Sequence, residues 1–196
     1  MKRSMEFRRM LGYLALAAVA VLAAGCGSTV ATTSGGSAKL ADFHNQFVEF
    51  RYPTAWAAAE PDVATTLHFH PIVYLSAQPT GNPCRTTGSE TACTWPIRHL
   101  RAGGVLIVWE NRGYPGWTLR SMPGRPLRVG GRPARLHVSH PGICRAIGAD
   151  ETVEVAIARP LNGNWTALTA CLRRPNVAAN EREVDALLAS TRFNTP

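Results

Sequence analysis

The chain contains 196 residues, with 21 lysines and arginines against 13 aspartates and glutamates, and its formal net charge is +8. This length allows one domain of ordinary size with a real hydrophobic core. The positive charge does not indicate nucleic acid as a partner, because the sequence contains no nucleic-acid-binding motif.

An export signal is predicted at the start of the chain. Several basic residues precede an uncharged apolar stretch, residues 11–24, which ends in small residues. The stretch has 14 residues, whereas a helix needs about 20 to span a bilayer. We therefore expect a cleaved signal peptide over residues 1–25, and an uncleaved transmembrane anchor is the alternative.

The end of this stretch, residues 22–26 (LAAGC), resembles the lipobox of bacterial lipoproteins. In that family a diacylglyceryl group is attached to the cysteine thiol, and the signal is cleaved just before the cysteine. The resemblance implies that Cys26 is lipidated and holds the chain on the extracytoplasmic face of the cell membrane, since two acyl chains anchor a protein stably. Residues 26–40 are then the lipidated cysteine and a flexible tether, and residues 41–196 a single globular domain.

The arginines are concentrated in one segment. Residues 112–148 contain seven arginines and no acidic residue. We interpret this segment as solvated strand faces, and contact with anionic headgroups or an anionic envelope component is the alternative. The seven residues are Arg112, Arg120, Arg125, Arg128, Arg132, Arg135 and Arg145.

Four cysteines remain after Cys26, and in an exported domain they predict two disulfides. Cys84 and Cys93 flank a polar loop, so we expect them to pair locally. That pairing leaves Cys144 for Cys171. Metal binding is the competing interpretation, but the Cys-x-x-Cys spacing is absent.

Apolar and β-branched residues predict a series of strands. The first, residues 47–52, is stopped by Pro53, and a short helical turn is expected around Trp56. Residues 72–77 form the next strand. Residues 78–93 are a loop by their proline and glycine content.

The middle of the chain carries the most apolar predicted strand. Residues 104–109 are apolar at every side-chain position, as expected of a central strand covered on both faces. Residues 111–117 are a turn-rich excursion after it. The Gly-Gly pair at 130–131 predicts a hairpin turn between strands 127–129 and 134–138.

The last predicted hairpin has a defined register. An Asn-Gly pair at 162–163 predicts a two-residue turn between strands 152–158 and 164–172. The turn then sets Ile157 opposite Leu168, Val155 opposite Ala170 and Val153 opposite Leu172. All six side chains are apolar and share one face, while Cys171 lies on the other face, opposite Glu154.

A C-terminal helix is predicted after this hairpin. The Asn180 side chain is expected to cap the first turn of the helix. The Glu183 side chain, three residues later, is expected to accept a hydrogen bond from the Asn180 backbone N–H. Residues 191–193 add a final strand. The apolar side of the helix consists of Val184, Leu187 and Leu188.

Three short motifs resemble the Mog1/PsbP-like α+β domains: Tyr52-Pro53 followed by Trp56, residues 129–134 (VGGRPA), and a terminal helix that runs into residues 190–193 (STRF). The resemblance implies an antiparallel sheet flanked by helices. We predict an α+β fold, a mostly antiparallel sheet with a C-terminal helix packed on it and two disulfides. Members of that group are mostly accessory or partner-binding proteins without shared catalytic residues, so the resemblance assigns no site residue. The long loop before Cys93 departs from the pattern.

Catalytic and metal-binding motifs are absent from the sequence. It has no Gly-x-Ser-x-Gly or Ser-x-x-Lys, and no cysteine is left unpaired. His68 and His70 share one face of an extended segment, but a metal site needs three or four converging ligands. We assign no catalytic residue, metal or cofactor. The strand carboxylates that we interpret as solvated are Glu49, Glu110, Glu151 and Glu154.

The candidate binding residues are Arg112, Tyr114 and Trp117. They lie in a glycine- and proline-containing segment after the central strand, where scaffolds present contact residues. Arginine and aromatic side chains are also common interface anchors. The alternative is that Tyr114 and Trp117 fold back over one end of the core.

The function predicted from these features is that of a membrane-anchored, non-enzymatic module that binds a protein or an envelope component. A small-ligand or lipid carrier is the first alternative, and a hydrolase of envelope polymer is the second. A pocket of several hundred Å³ beside the sheet would favour a carrier. Two converging carboxylates, or a converging Ser/His pair, would favour a hydrolase.

Overall fold

Twelve strands and one α-helix form the regular structure of residues 39–61, 69–88, 90–159 and 164–194, the part of the chain that the computed structural model describes. The predicted signal and Cys26 lie outside it. The strands are β1 (Leu40–His44), β2 (Val48–Pro53), β3 (Ala57–Ala59), β4 (Phe69–Ser76), β5 (Cys84–Thr87), β6 (Glu90–Cys93), β7 (Val105–Gly113), β8 (Arg125–Val129), β9 (Arg132–Ser139), β10 (Glu151–Ala158), β11 (Asn164–Leu172) and β12 (Arg192–Phe193). Helix α1 is Val177–Ser190, and two 3₁₀ helices are Leu119–Ser121 and Gly142–Ile147. No helix within these ranges is long and apolar enough to cross a bilayer.

A seven-stranded sheet is the body of the domain, in the order β3-β4-β7-β11-β10-β9-β8. Every neighbouring pair in it is antiparallel. Strand β7 lies between β4 and β11, and its residues from Val105 to Trp109 are all buried. The prediction of a central strand covered on both faces is confirmed. The coarse prediction of a mostly antiparallel sheet with one C-terminal helix is confirmed as well.

The two faces of the large sheet bury separate clusters. On one face, which we call the helix face, Trp109 and Leu168 pack with Leu187 of α1 and with Phe50 of a smaller sheet, β1-β2-β12. On the opposite face, which we call the cleft face, Leu106, Val108 and Cys171 pack with residues of the 94–100 segment and of the second 3₁₀ helix. The alternation of side chains along β7 and β11 sends neighbouring residues to these two clusters.

Both predicted disulfides are present. Cys84 and Cys93 face each other across the β5–β6 hairpin, with the two sulfurs 1.99 Å apart. Cys144 and Cys171 link the second 3₁₀ helix to the cleft face of β11, and both cysteines are fully buried. The predicted loop over residues 78–93 therefore contains a two-stranded hairpin, because half of its residues pair in β5 and β6.

The predicted register of the β10–β11 hairpin is wrong by two residues. Val155 pairs with Leu168 and Val153 with Ala170, while Cys171 lies opposite Thr152 instead of Glu154. The Arg159 N–H donates to the Asn164 carbonyl at 3.3 Å, so the connection has four residues, 160–163, instead of two. A shift of two residues keeps each side chain on its face, and all six apolar residues of the prediction lie in the helix-face cluster.

The predicted start of the C-terminal helix is also wrong. Helix α1 begins at Val177, after Asn176, three residues before the predicted cap. The side-chain amide of Asn180 instead donates to the carbonyls of Gly103 and Gly104, at 3.2 and 3.4 Å. The Asn180 side chain therefore makes a tertiary contact from within the helix, and the sequence pattern does not contain that partner.

Three smaller differences complete the comparison of predicted and observed elements. The predicted turn is limited to residues 53–56, where the Trp56 N–H donates to the Pro53 carbonyl at 2.9 Å, and residues 57–59 form strand β3 because they pair with β4. Residues 111–113 continue strand β7. Strand β1 was not predicted. The Gly130-Gly131 turn is confirmed, because Val129 pairs with Arg132 and both glycines have positive φ, +53° and +77°.

Candidate binding cleft

A cleft of about 350 Å³ opens on the cleft face of the large sheet. Strands β4, β7 and β11 supply its floor through Tyr74, Val108, Glu110 and Thr169. Its walls come from the segment that follows the β5–β6 hairpin and from the second 3₁₀ helix, and they include Thr94, Trp95, Pro96 and Ile143. The volume lies within the range of small-molecule sites, about 300–1,000 Å³.

Glu110 is the buried carboxyl of this cleft. The residue is 2% exposed, and the Arg112 Nε–H donates to its Oε1. The two side chains share one face because they are two residues apart on β7. Burial raises the pKa of Glu110 above its ordinary value, while the charge and hydrogen bond of Arg112 oppose this shift. The interpretation of Glu110 as a solvated carboxylate is therefore wrong.

Tyr74 responds to the same environment. Its side chain lies on β4, in the floor of the cleft, and the residue is 3% exposed. Burial, and next the charge of Glu110, raise the pKa of Tyr74 to about 12. The phenol is therefore neutral throughout the physiological range of pH.

Arg112 lies at the accessible side of the pair. Its side chain is 44% exposed, against 3% for that of Glu110. Strand register places Phe69 of β4 and Trp165 of β11 directly opposite it on the two neighbouring strands. Residues opposite each other in an antiparallel ladder project from the same face, so Arg112 stands in a row with two aromatic residues.

The structure separates the three predicted binding residues. Arg112 lines the cleft, whereas Tyr114 and Trp117 do not. Trp117 is half-buried and stacks on Trp165, with ring centroids 4.4 Å apart and 10° between the planes. Tyr114 is 65% exposed. The alternative of aromatic residues folded back on the domain therefore describes Trp117 but not Tyr114.

Sequence reasoning missed most of the cleft. Trp95 and Ile143 both line the cleft, but neither lies in a strand. No spacing in the sequence therefore indicates that they line the same cleft. Glu110 carries a usable signal, because it is a charged residue that directly follows a fully apolar run in the central strand. Such a carboxyl is often buried with a partner, and Arg112 lies two positions later.

A second glutamate that was interpreted as solvated is also buried. Glu151 is 6% exposed, and His140 Nδ1 lies 3.3 Å from its Oε2. Burial raises the pKa of Glu151, and the neighbouring Glu181 adds to the shift. Glu49 and Glu154 remain partly exposed.

Metal ligands do not converge in the described residues. They contain no group of three or more histidines, cysteines, aspartates or glutamates that could hold a metal ion. Of the pair His68 and His70, His68 lies outside the described residues. The described lining of the cleft contains one carboxyl group, that of Glu110.

The arginines of strands β8 and β9 are divided between the two faces of the sheet. Arg132 projects from the same face of β9 as the buried residues Ala134 and Leu136. Its guanidinium carbon Cζ lies 4.3 Å from the centroid of the Phe193 ring. Arg135 points to the opposite face, where it donates to the Gly124 carbonyl at 2.6 Å. Alternation along a strand therefore prevents these residues from forming a single basic surface.

The comparisons with known proteins leave the family open. The chain matches no protein-family model and none of the curated proteins. Membership of the lipoproteins and of the Mog1/PsbP-like domains stays a prediction from the sequence.

Proposed function

We propose that this protein is a membrane-anchored, extracytoplasmic binding protein whose cleft holds a small, largely apolar ligand. The cleft beside β7 is the observation that carries the proposal. It joins aromatic and aliphatic walls to one charged pair, Glu110–Arg112, and this combination is typical of small-molecule sites. A binding role is favoured over hydrolysis because the described lining offers one carboxyl group, and that carboxyl is already paired with a guanidinium.

The extracytoplasmic location rests on two features. The lipobox-like segment ending at Cys26 is a sequence feature of exported, lipid-anchored proteins. Disulfides such as Cys144–Cys171 form and persist in oxidising compartments. A diacylglyceryl anchor would keep the domain attached to the membrane.

The proposal is tested by what the protein carries when it is purified. The full chain is isolated from membranes of its host, extracted with organic solvent, and the extract is analysed by mass spectrometry. A compound bound in the cleft should be recovered in a fixed ratio to the protein. The variant Ile143→Trp places a larger side chain on the rim, where Ile143 is 51% exposed, and should lose the compound without unfolding.

Val138→Trp is the matched control for this experiment. Val138 is another exposed apolar residue, 37% exposed, and it does not line the cleft. Retention of the compound by Val138→Trp and its loss from Ile143→Trp would support the proposal. Equal recovery from both variants, or no compound above the level of an unrelated lipoprotein, would reject it.

Docking of a protein partner is the second candidate function, and the exposure of Tyr114 favours it. A large aromatic side chain that is 65% exposed is a common anchor in interfaces. Chemical crosslinking in intact cells, with Tyr114→Ala compared with the wild type, tests this role. Loss of a specific crosslinked partner in the variant would support docking, and an unchanged pattern would oppose it.

A further inference from the structure

We propose that the ligand of the cleft is a small amphipathic carboxylate, whose acid group binds the outer edge of the Arg112 guanidinium while its apolar body lies along Trp95 and Ile143. This inference rests on the proposed function, and it specifies that the ligand carries a negative charge. It is carried by the different accessibility of the two members of the Glu110–Arg112 pair.

A cationic ligand is disfavoured by the position of Glu110. The Glu110 side chain is 3% exposed, and its Oε1 already accepts the Nε–H of Arg112. An incoming ammonium group would have to displace Arg112 from this carboxylate and also give up its own hydration. Removing water from a charge costs more than a partly exposed ion pair returns.

An anionic ligand does not have to displace Arg112 from Glu110, because it can bind the other edge of the guanidinium. The guanidinium carries five N–H donors, and Glu110 uses the one on Nε. The structure shows no hydrogen bond from the two Nη nitrogens to another described residue, and the side chain is 44% exposed at the cleft. The pair of Nη nitrogens matches a carboxylate in a two-point arrangement.

Glu110 contributes by holding the guanidinium in place. Its hydrogen bond fixes the Nε edge of Arg112 against the floor, so the opposite edge keeps one direction. A receptor side chain that is already oriented loses less conformational entropy when a ligand binds. Glu110 is therefore a positioning residue for Arg112, and the acid group of the ligand contacts Arg112 itself.

The walls determine the remainder of the ligand. Phe69, Trp95, Val108 and Ile143 are apolar, and Thr94 and Thr169 add two hydroxyl groups. At about 350 Å³ the cleft accepts a body the size of one or two aromatic rings or a short alkyl chain. Aromatic acids and short fatty acids both consist of a carboxylate attached to such an apolar body.

The test compares three probes that share one apolar body. Naphthylacetate, naphthylacetamide and naphthylmethylammonium are titrated by calorimetry into the purified full chain in detergent, with a detergent blank for each. The acid should bind at least about tenfold more tightly than the amide, as expected for a charged hydrogen bond, and the ammonium should bind most weakly. Octanoate in a fourth titration distinguishes an alkyl acid from an aromatic acid.

The double variant Glu110→Gln/Arg112→Gln shows whether this pair causes the selection. It removes both charges, so no unpaired charge remains in the floor. The ratio of the acid affinity to the amide affinity should fall to about one. Arg192→Gln, which changes an exposed arginine that does not line the cleft, should keep the wild-type ratio.

The outcomes separate this inference from the proposed function. Amide or ammonium binding as tight as that of the acid, in the wild type, would overturn the anionic ligand and leave the cleft as a binding site. Absence of binding by every probe, both before and after organic extraction of the protein, would overturn both. The wild-type comparison needs no variant, so it remains decisive if the double variant does not fold.

Discussion

Removal of the Arg112 guanidinium should destabilise the domain, because Glu110 would then be a buried carboxylate without a partner. Breaking a fully buried ion pair costs about 3–5 kcal/mol, and an exposed pair is worth at most about 1 kcal/mol. The Arg112 side chain is 44% exposed and that of Glu110 is 3% exposed. We therefore expect Arg112→Met to lower the free energy of unfolding by about 2 kcal/mol at pH 8.

This loss should depend on pH. Burial raises the pKa of Glu110 above 4.5 in the folded state, so the folded chain binds this proton more strongly than the unfolded chain. The contribution of Glu110 to stability therefore falls as the pH rises from about 4.5 through the raised pKa. Arg112 opposes the shift, so its removal extends this range to higher pH. The deficit of the variant should be full at pH 8 and small near pH 4.5.

Urea denaturation of the full chain at a series of pH values measures this difference. At pH 8 the melting temperature should also fall, by about 4–8 °C for a domain of this size. The double variant Glu110→Gln/Arg112→Met should recover most of the loss, because the remaining amide is neutral. Arg192→Met removes a surface partner of Glu49, with the charged atoms 3.9 Å apart, and should cost less than about 1 kcal/mol. A deficit that is independent of pH, or a double variant as unstable as the single one, would refute the reasoning.

Three further predictions concern the disulfides, the β8–β9 turn and the lipid anchor. Replacing the Cys144–Cys171 bridge with alanines should cost about 3.6 kcal/mol, and replacing the Cys84–Cys93 bridge about 2.6 kcal/mol, because they close separations of 27 and 9 residues. Equal losses in urea denaturation would contradict the loop-length argument. Gly130→Ala should destabilise the domain by about 2 kcal/mol and Gly131→Ala by about 1 kcal/mol. An added Cβ at Gly130 lies 2.8 Å from the Phe193 ring, whereas one at Gly131 meets nothing within 4 Å, and thermal denaturation should show Gly130→Ala to be the less stable variant. Mass spectrometry of the protein purified from the membranes of its host should find a diacylglyceryl group on Cys26, and an unmodified Cys26 thiol would argue against a lipid anchor.

Local patterns predicted the faces of the strands better than their pairing. In the β10–β11 hairpin the apolar residues alternate, and this alternation alone assigns them to one face. The register depends on the length of the connection, and the Asn-Gly pair indicated a turn two residues shorter than the observed one. Alternation cannot detect such an error, because a shift of two residues returns every side chain to the same face.

The cleft could be predicted only in part. Arg112 was singled out because it follows the central strand, and it does line the cleft. Its partner Glu110 was assigned to solvent, because a sequence shows a strand carboxylate but not what covers the strand. The apolar walls come from two segments that are far apart in the chain, and only folding brings Trp95 and Ile143 to the same cleft.

The sequence by itself determined the features that depend on near neighbours: the apolar central strand, the Gly130-Gly131 turn, the local disulfide of Cys84, and the lipobox-like segment. These features follow from the periodicity of apolar side chains, the conformational freedom of glycine and the closure of short loops, and each of these acts over a few residues. Tertiary structure decided the burial of Glu110, the use of the Asn180 amide and the existence of the cleft. Each of these depends on what a distant segment places against a side chain, and that contact sets its solvation and hydrogen bonding.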